Sequence, residues 1–146
     1  MDHKIKNVFI KGAISSEFIA NSIAKHQSKT TIGAHNIFLG QVRADVIDGK
    51  TISAIEYTAY EDMANAKFHE IREATFDKFN LTCMHIYHSL GTVKSGEICL
   101  FVFVSSPRRK EVFKALEYVV DEIKAKVPVY GKELFEDKTH QWKVNS

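Results

Sequence analysis

Arginine and lysine side chains gather at both ends of one segment of the chain, SSPRRKEVFKALEYVVDEIKAKVPVYGKE, at residues 105–133. Arg108 and Arg109 precede its apolar stretch, and Lys124 and Lys126 close it. Lysines at the C-terminal end of a helix are ordinary, because they complement the helix dipole. Arginines in a first turn are unfavourable, since that end of a helix is already positive. The arginine pair therefore indicates an anionic binding partner.

The apolar residues of this segment predict the helix that holds these cations. They recur at helical spacing and comprise Val112, Phe113, Leu116, Val119, Val120, Ile123 and Val127. Ser106 is predicted as the N-cap and Pro107 as the first helical residue. Pro128 ends the helix, because a proline disfavours helical backbone in the residue before it. Lys124 and Lys126 flank the apolar stripe at about 80° on either side, and the helical wheel does not choose between them.

The length of this helix limits what one ligand can touch. Arg109 and Lys124 are separated by about 22 Å, because each residue of an α-helix adds about 1.5 Å along its axis. A small ligand therefore cannot contact both in the same subunit. If both ends are functional, either there are two sites or a dimer brings one subunit's helix start to the other's helix end.

The rest of the chain predicts strands and two further helices, in a single domain of residues 1–146. Strand-like runs occur at residues 4–10, 34–43, 51–57, 81–90, 98–104, 129–135 and 142–144. A short helix is capped by Ser15 or Ser16, and a longer one is marked by apolar residues from Tyr60 to Phe79. Helices interleaved with hairpins predict an α+β fold with a mixed, mostly antiparallel sheet and three helices.

Turn residues and one apolar run refine this outline. Asp48-Gly49 is typical of a hairpin turn and predicts that strand 34–43 pairs with strand 51–57. Gly40 predicts a bulge or a close backbone approach just before Arg43. Gly91 predicts the end of the strand that precedes it. The continuous run ICLFVFV at residues 98–104 favours a strand covered on both faces.

Composition excludes several classes of protein. The chain has 146 residues, of which 26% are charged and 45% hydrophobic, as in an ordinary globular domain. The net charge of +2 is too small for general nucleic-acid binding. We expect no signal peptide and no membrane span. Cys83 and Cys99 lie in apolar runs without CxxC spacing, which predicts buried reduced thiols in a cytoplasmic protein.

Motifs for metal, nucleotide or serine chemistry are absent from the sequence. His85 and His88 are three residues apart in a predicted strand, so their side chains point to opposite faces and do not easily share one ion. We therefore expect a structural role for both histidines and no metal site. The sequence has no HExxH, no glycine-rich phosphate loop and no G-x-S-x-G elbow.

Four motifs together resemble one known family. FLGQVR, GTVKSGE, VFVSSPRRK and DEIKAKVPVYGKE occur in the order, and at about the spacing, found in the large, catalytic subunit of molybdopterin synthase. The resemblance spans nearly the whole chain. It implies an α/β-hammerhead fold and a homodimer. It also implies a small ubiquitin-like sulfur carrier ending in Gly-Gly, which binds each subunit to give a heterotetramer.

The resemblance also implies the reaction. Sulfur passes from the carrier's C-terminal thiocarboxylate to cyclic pyranopterin monophosphate, the cyclic phosphate opens, and the dithiolene of molybdopterin forms. No metal or resident cofactor is implied, and no nucleic acid or membrane. The alternative interpretation is a non-catalytic α+β anion-binding or regulatory module.

Carried over position by position, the resemblance selects Lys124 rather than Lys126 as a catalytic lysine. Lys132 is the second predicted catalytic lysine, because Gly131 follows the aromatic residue of the exit loop where the family often has a lysine. The predicted substrate-binding residues are Gln41, Val42, Arg43, Arg108, Arg109, Lys124, Gly131, Lys132 and Glu133. Cations held in place suit this chemistry, since the substrate phosphate and the carrier tail are both anions.

Overall fold

The structure, a computed structural model, describes residues 5–144. Within that range the chain forms three helices, α1 (Ser16–His26), α2 (Glu61–Lys78) and α3 (Arg109–Lys126). The strands are β1 (Phe9–Lys11), β2 (Ala34–Gln41), β3 (Val46–Ile47), β4 (Lys50–Ala59), β5 (Cys83–Lys94), β6 (Ile98–Ser106), β7 (Val129–Phe135) and β8 (His140–Trp142). The predicted α+β fold with three helices is confirmed. None of the helices in the described part is long and apolar enough to cross a membrane.

The strands form one mixed sheet in the order β2-β6-β5-β4-β7-β8. These neighbours are all antiparallel, whereas β1 adds to β5 in parallel. β5 is long enough to change partners: it pairs with β6 up to His88 and with β4 from Gly91. The prediction that the strand ends before Gly91 was therefore wrong. Gly91 adopts a positive φ of 85° where the partner changes, and the strand continues beyond it.

The predicted hairpin exists, but its first strand is different. Asp48 and Gly49 form the turn between β3 and β4, and both have positive φ. β2 does not pair with β4, contrary to the prediction, because it lies at the far edge of the sheet beside β6. Residues 42–45 leave the β2 ladder and carry the chain across to the short strand β3.

The terminal strands also differ from their predicted bounds. The first predicted strand, residues 4–10, begins outside the described residues, and the structure has β1 at Phe9–Lys11. The last strand is His140–Trp142 instead of residues 142–144, because its pairing with β7 starts at Leu134 opposite His140. β7 has its predicted bounds.

β6 lies between two apolar layers, as predicted from its continuous apolar run. Phe101 and Phe103 face α1 and form one cluster with Ile14. Val102 and Val104 face the opposite side and join the main core, which α2 and α3 cover. Alternating side chains of a strand point to opposite faces, so a strand buried on both sides needs apolar residues at every position.

α3 ends where the sequence predicts but begins later. Val127 is its C-cap, with extended backbone (φ −85°, ψ 129°), as expected before Pro128. The predicted N-terminus, with Ser106 as cap and Pro107 as first residue, was wrong. Arg108 occupies the cap position, because β6 extends through Ser106 and the Ser106 hydroxyl donates to the Asn80 carbonyl oxygen at 2.9 Å.

α1 and α2 follow their predicted patterns. Of the two serines proposed as the cap of α1, Ser15 takes that role, and its hydroxyl oxygen accepts a hydrogen bond from the Phe18 N–H at 3.1 Å. α2 buries Ala64, Phe68 and Ile71, which lie on one helical face. α3 packs through its own buried face, and Lys124 and Lys126 lie in its last turn.

Candidate functional site

A cavity of about 350 Å³ opens between the C-terminal end of α3 and the sheet. Its wall includes three stretches that are distant in sequence: the end of β2, the end of α3 and the start of β7. Further lining residues come from β4, β5 and β6 and from Lys143. The lining residues include Gln41, Val42, Arg43, Tyr57, His88, Cys99, Lys124, Gly131, Glu133 and Lys143. Six of the predicted site residues therefore meet here: Gln41, Val42, Arg43, Lys124, Gly131 and Glu133.

The backbone at Gln41 and Val42 is held rigidly. The pairing of β2 with β6 shifts register between Gly40 and Gln41, which confirms the predicted bulge. Val42 is 1% exposed, its N–H donates to the Glu97 carbonyl oxygen at 3.0 Å, and its carbonyl oxygen accepts from the Gly96 N–H at 2.7 Å. This wall of the cavity is therefore fixed before any ligand binds.

Lys124 and Lys126 differ sharply in their surroundings. Lys124 lines the cavity and takes part in no ion pair within residues 5–144. Lys126 lies 2.9 Å from the Glu122 carboxylate, and this hydrogen bond raises the pKa of Lys126. The tertiary structure thus leaves Lys124 available to a ligand and pairs Lys126 with its own helix.

The floor of the cavity is formed by the polar side chains of His88, Tyr57 and Cys99. Burial, with a smaller effect of the nearby Lys124 ammonium, lowers the pKa of His88 to about 4. The His88 Nδ1–H donates to the Ser89 carbonyl oxygen at 2.8 Å. Burial, and then the Cys99 thiol, raise the pKa of Tyr57. These three side chains were not predicted as site residues, because each belongs to a separate strand in an apolar run.

Arg43 lies at the mouth of the cavity with its charge already paired. Its Nε and a terminal nitrogen donate to the two Asp45 carboxylate oxygens at 2.6 and 3.1 Å. This pair raises the pKa of Arg43. The Arg43 side chain is 84% exposed, so the pair is held weakly enough to be exchanged for a ligand anion.

β7 divides its predicted site residues between two faces. Gly131 and Glu133 line the cavity, and Glu133 is 8% exposed and accepts from the Gln141 amide at 2.9 Å. Lys132 lies between them in sequence and points to the other face, where its amine is 3.8 Å from a Glu56 carboxylate oxygen. Strand alternation therefore keeps Lys132 out of the cavity within one chain.

Lys143 stands beside Gly131 and was not among the predicted site residues. Its backbone N–H donates to the Gly131 carbonyl oxygen at 2.8 Å, just beyond the β7-β8 ladder. A Cβ placed on Gly131 would lie 3.7 Å from the Lys143 Cβ. Because Lys143 lines the cavity, it places a lysine next to the position where this chain has glycine.

The arginines at the start of α3 are remote from this cavity. Arg108 caps the helix and Arg109 begins it, whereas Lys124 is in its last turn. The helix is continuous, so the 22 Å estimate from α-helix geometry holds. Within one chain, the cavity and the arginine pair form two separate positive regions.

A second depression, of about 420 Å³, adjoins the cavity on the outer surface. The two share Lys124, Gly131 and Lys143 in their walls. Tyr130 and Trp142 line the depression and are 48% and 59% exposed. Large exposed aromatic side chains beside a pocket are typical of a protein-binding surface.

Known proteins resemble this chain over most of its length. The family model described as MoaE protein matches residues 13–126. This chain belongs to the MoaE protein family. A curated MoaE relative, molybdopterin synthase catalytic subunit 1 of Aedes aegypti, is 38% identical over 128 residues, covering 86% of this chain and 80% of that protein. The molybdopterin synthase catalytic subunit of Pyrococcus abyssi is 35% identical over 119 residues, covering 82% and 79%.

Solved structures agree with the MoaE assignment. The crystal structure of molybdopterin synthase from Staphylococcus aureus superposes with a TM-score of 0.81 at 29% identity, covering 98% of this chain and 100% of that one. A complex of subunits 1 and 2 of molybdopterin-converting factor from Helicobacter pylori has a TM-score of 0.78 at 20% identity, covering 92% and 87%. At that lower identity the second match shows the fold alone.

Membership of the MoaE family confirms the resemblance inferred from the four motifs. The chain acts in molybdenum cofactor biosynthesis as an enzyme, a molybdopterin synthase catalytic subunit. The non-catalytic anion-binding module is not favoured.

Proposed function

We propose that the cavity beside Lys124 is where sulfur passes from the C-terminal thiocarboxylate of a small ubiquitin-like carrier to cyclic pyranopterin monophosphate. The observation that carries this proposal is the cavity itself: about 350 Å³, with His88, Tyr57 and Cys99 at its floor and Lys124, Lys143 and the buried Glu133 in its wall. This volume falls in the range of about 300–1,000 Å³ typical of small-molecule sites. Opening of the cyclic phosphate and formation of the dithiolene would take place there.

The charges around the cavity suit two anionic reactants. Lys124 lies beside His88, which is buried and neutral at pH 7. An ammonium group next to a desolvated floor interacts more strongly with an anion than it would in water. We propose that Lys124 stabilises the charge that develops on the opening phosphate or on the thiocarboxylate adduct.

Arg43 supplies a second cation at the mouth. Its fork of donors, bound to Asp45 in the free chain, has the geometry that carboxylates and phosphates accept. We propose that a phosphate or the carrier's terminal group replaces Asp45. The rigid backbone of Val42 next to it keeps this exchange local.

A small-subunit partner is proposed for the outer depression. The Helicobacter pylori neighbour is described as a complex of subunits 1 and 2, which supports a partner of this kind. An extended Gly-Gly tail has no side chains, so its backbone and terminal charge must hold it. Tyr130 and Trp142 give the carrier body an apolar surface, and Lys124 and Lys143 lead from it into the cavity.

A carrier shortened by its last two residues tests whether the carrier body provides docking and the tail provides sulfur delivery. It should still dock through its globular body, measured by titration calorimetry, but deliver no sulfur. Loss of docking together with loss of transfer would contradict the proposal, since the tail would then carry most of the affinity.

We also propose a homodimer whose sites use both subunits. The distance of about 22 Å between Arg109 and Lys124 supports it, because one subunit alone cannot bring both to one substrate. A cytoplasmic location is proposed as well. Cys83 and Cys99 are both buried free thiols, which suits a reducing compartment.

The main experiment compares two lysines on the same helix. Lys124→Ala should reduce single-turnover conversion of precursor to molybdopterin by about 10²–10³, the usual cost of losing one preorganised donor. Lys126→Ala is the matched control, because Lys126 is on the same turn but is paired with Glu122. With the carrier at saturating concentration it should keep nearly full activity, because Lys126 lines the outer depression but not the cavity. Equal activity of Lys124→Ala and the wild type would refute the assignment of the site.

A second pair of variants identifies the other amine. The sequence predicts Lys132, whereas the geometry supports Lys143, which lines the cavity beside Gly131. We expect Lys143→Ala to lose more activity than Lys132→Ala in the same assay. The opposite order would favour Lys132 and would require β7 to rearrange when the partner binds.

A further inference from the structure

Three side chains that can bind a metal converge on the side of the sheet that α1 covers. His26 is the last residue of α1, and Cys83 and His85 are the first and third residues of β5. One ligand atom from each, a ring nitrogen or the sulfur, lies within 4.8 Å of the others. Cys83 and His85 share a face because they are two residues apart in a strand.

This cluster is separate from the synthase cavity. His88 lines that cavity, and it is three residues from His85 in β5, so the two rings point to opposite sides of the sheet. The expected structural role of His85 rested on its pairing with His88 alone. The actual neighbour comes from α1, which a pattern within one strand does not reveal.

The His26 ring is already oriented as a metal ligand. Its Nδ1–H donates to the Ser22 carbonyl oxygen at 2.7 Å, because a carbonyl can only accept. The lone pair is therefore on Nε2, which faces the His85 Nε2 at 2.8 Å. A hydrogen bond from the distal ring nitrogen to a carbonyl is the usual support of a metal-binding histidine.

One side of the cluster is apolar. The His26 ring centre lies 4.7 Å from the centre of the Phe103 ring, and the His85 ring centre lies 6.5 Å from it. His26 is 9% exposed and Cys83 is 5% exposed. A hydrophobic shell around ligands restricts water and strengthens binding of the ion. His85 is less buried and lines an outer cleft, which provides a path of entry.

We propose that His26, Cys83 and His85 form a binding site for Zn²⁺, with a water molecule as the fourth ligand. A thiolate and two imidazoles are ligands that zinc prefers, at about 2.3 Å for sulfur and 2.0–2.1 Å for nitrogen. Tetrahedral geometry at those lengths requires the two nitrogens to be about 3.3 Å apart. The rings therefore move apart by about 0.5 Å from their hydrogen-bonded separation, and the His85 ring proton, which is on Nε2 in that bond, is carried on Nδ1 when the ion binds.

Lys29 occupies the open side of the cluster in the metal-free chain. Its amine donates to the Cys83 sulfur at 2.8 Å. Lys29 is exposed, so its amine can turn into water when the ion binds. Lys6 and Arg72 are also close enough to act on His85, where burial is the main cause that lowers its pKa to about 4. The bound thiolate offsets part of this positive field, and the ion joins the end of α1 to the start of β5.

The test uses Co²⁺ as a spectroscopic substitute for Zn²⁺. The full-length chain is reduced, stripped with a chelator and titrated with Co²⁺. One equivalent should give a sulfur-to-cobalt charge-transfer band in the near ultraviolet, and added Zn²⁺ should remove it. The Cys83→Ser variant should lose the band. Cys99→Ser is the matched control, since it removes the other buried thiol, and it should keep the band.

Further variants test the histidines and the competing cation. His85→Gln should weaken Co²⁺ binding at least about tenfold, since even the outer partners of a ligand contribute that much. Lys29→Met should bind Co²⁺ more tightly, because it removes an ammonium group beside the ion. Circular dichroism verifies that each variant is folded. If the histidine variant is misfolded, the Cys83→Ser variant alone tests the proposed ligands. No band in the wild type, a band that survives Cys83→Ser, or one lost in Cys99→Ser would overturn the proposal.

Discussion

Because of the buried His88 ring, we expect the free energy of unfolding of this protein to fall in mild acid. Its ring is 8% exposed, and burial lowers its pKa to about 4 from 6.5. The folded chain therefore binds fewer protons than the unfolded chain between these two values. Stability is retained above pH 6.5 and falls as the pH drops towards 4. Proton linkage with these pKa values gives a loss of about 2.5 kcal/mol between pH 7 and pH 4.5.

The perturbation that isolates this effect is His88→Asn. The asparagine amide keeps a donor near the Ser89 carbonyl oxygen but does not titrate. The free energy of unfolding is measured by urea denaturation at pH 7 and pH 4.5. The variant should be less stable at pH 7, yet its loss on acidification should be smaller than that of the wild type by about 2.5 kcal/mol.

Two comparisons make the result decisive. His140→Asn makes the same substitution at an exposed histidine of β8 and is the matched control. His85 also has a lowered pKa, but it is partly exposed and remains in all three proteins, so its smaller contribution cancels. If His88→Asn and the wild type lose equal stability between the two pH values, the assignment of a buried neutral His88 is refuted.

Two further predictions concern the dimer and the start of α3. Mixing Arg109→Ala with Lys124→Ala protein should restore part of the activity if subunits exchange, because some sites in the mixed dimers would then be intact. Mixed dimers that are verified but show no recovery of activity would contradict a shared site. Gly33→Ala should lower the free energy of unfolding by about 1–3 kcal/mol, the usual cost of overpacking. Its Cβ would clash with the Pro107 carbonyl oxygen, so the backbone must shift. Unchanged urea unfolding of Gly33→Ala would show that this contact is not tight.

Local pattern determined the elements that carry the site. The apolar repeat of α3 and Pro128 predicted the helix and its end, because both act over a few residues. The apolar run of β6 predicted a strand covered on both faces. Gly40 predicted the bulge beside Gln41, since a glycine within a strand often marks one.

Strand pairing and the start of α3 depended on residues far apart in sequence. The Asp48 turn predicted a hairpin but did not determine which strand β2 joins, because β6 competes for the same edge. Ser106 has a side chain that commonly caps helices. In the structure its backbone belongs to β6, and its hydroxyl donates to the Asn80 carbonyl oxygen. Tertiary hydrogen bonds override a local preference when they satisfy the same polar groups.

The sequence by itself determined the family, the three helices and the lysines at the end of α3. Helical geometry did not separate Lys124 from Lys126, and the resemblance alone selected Lys124. The tertiary structure gives the physical difference, because Lys126 is paired with Glu122 and Lys124 lines the cavity. It also brought Lys143 to Gly131 and His26 to His85. A periodic pattern predicts which face of its element a residue occupies. A site also depends on which distant segment of the chain packs against that face. That contact is fixed by packing of the whole chain.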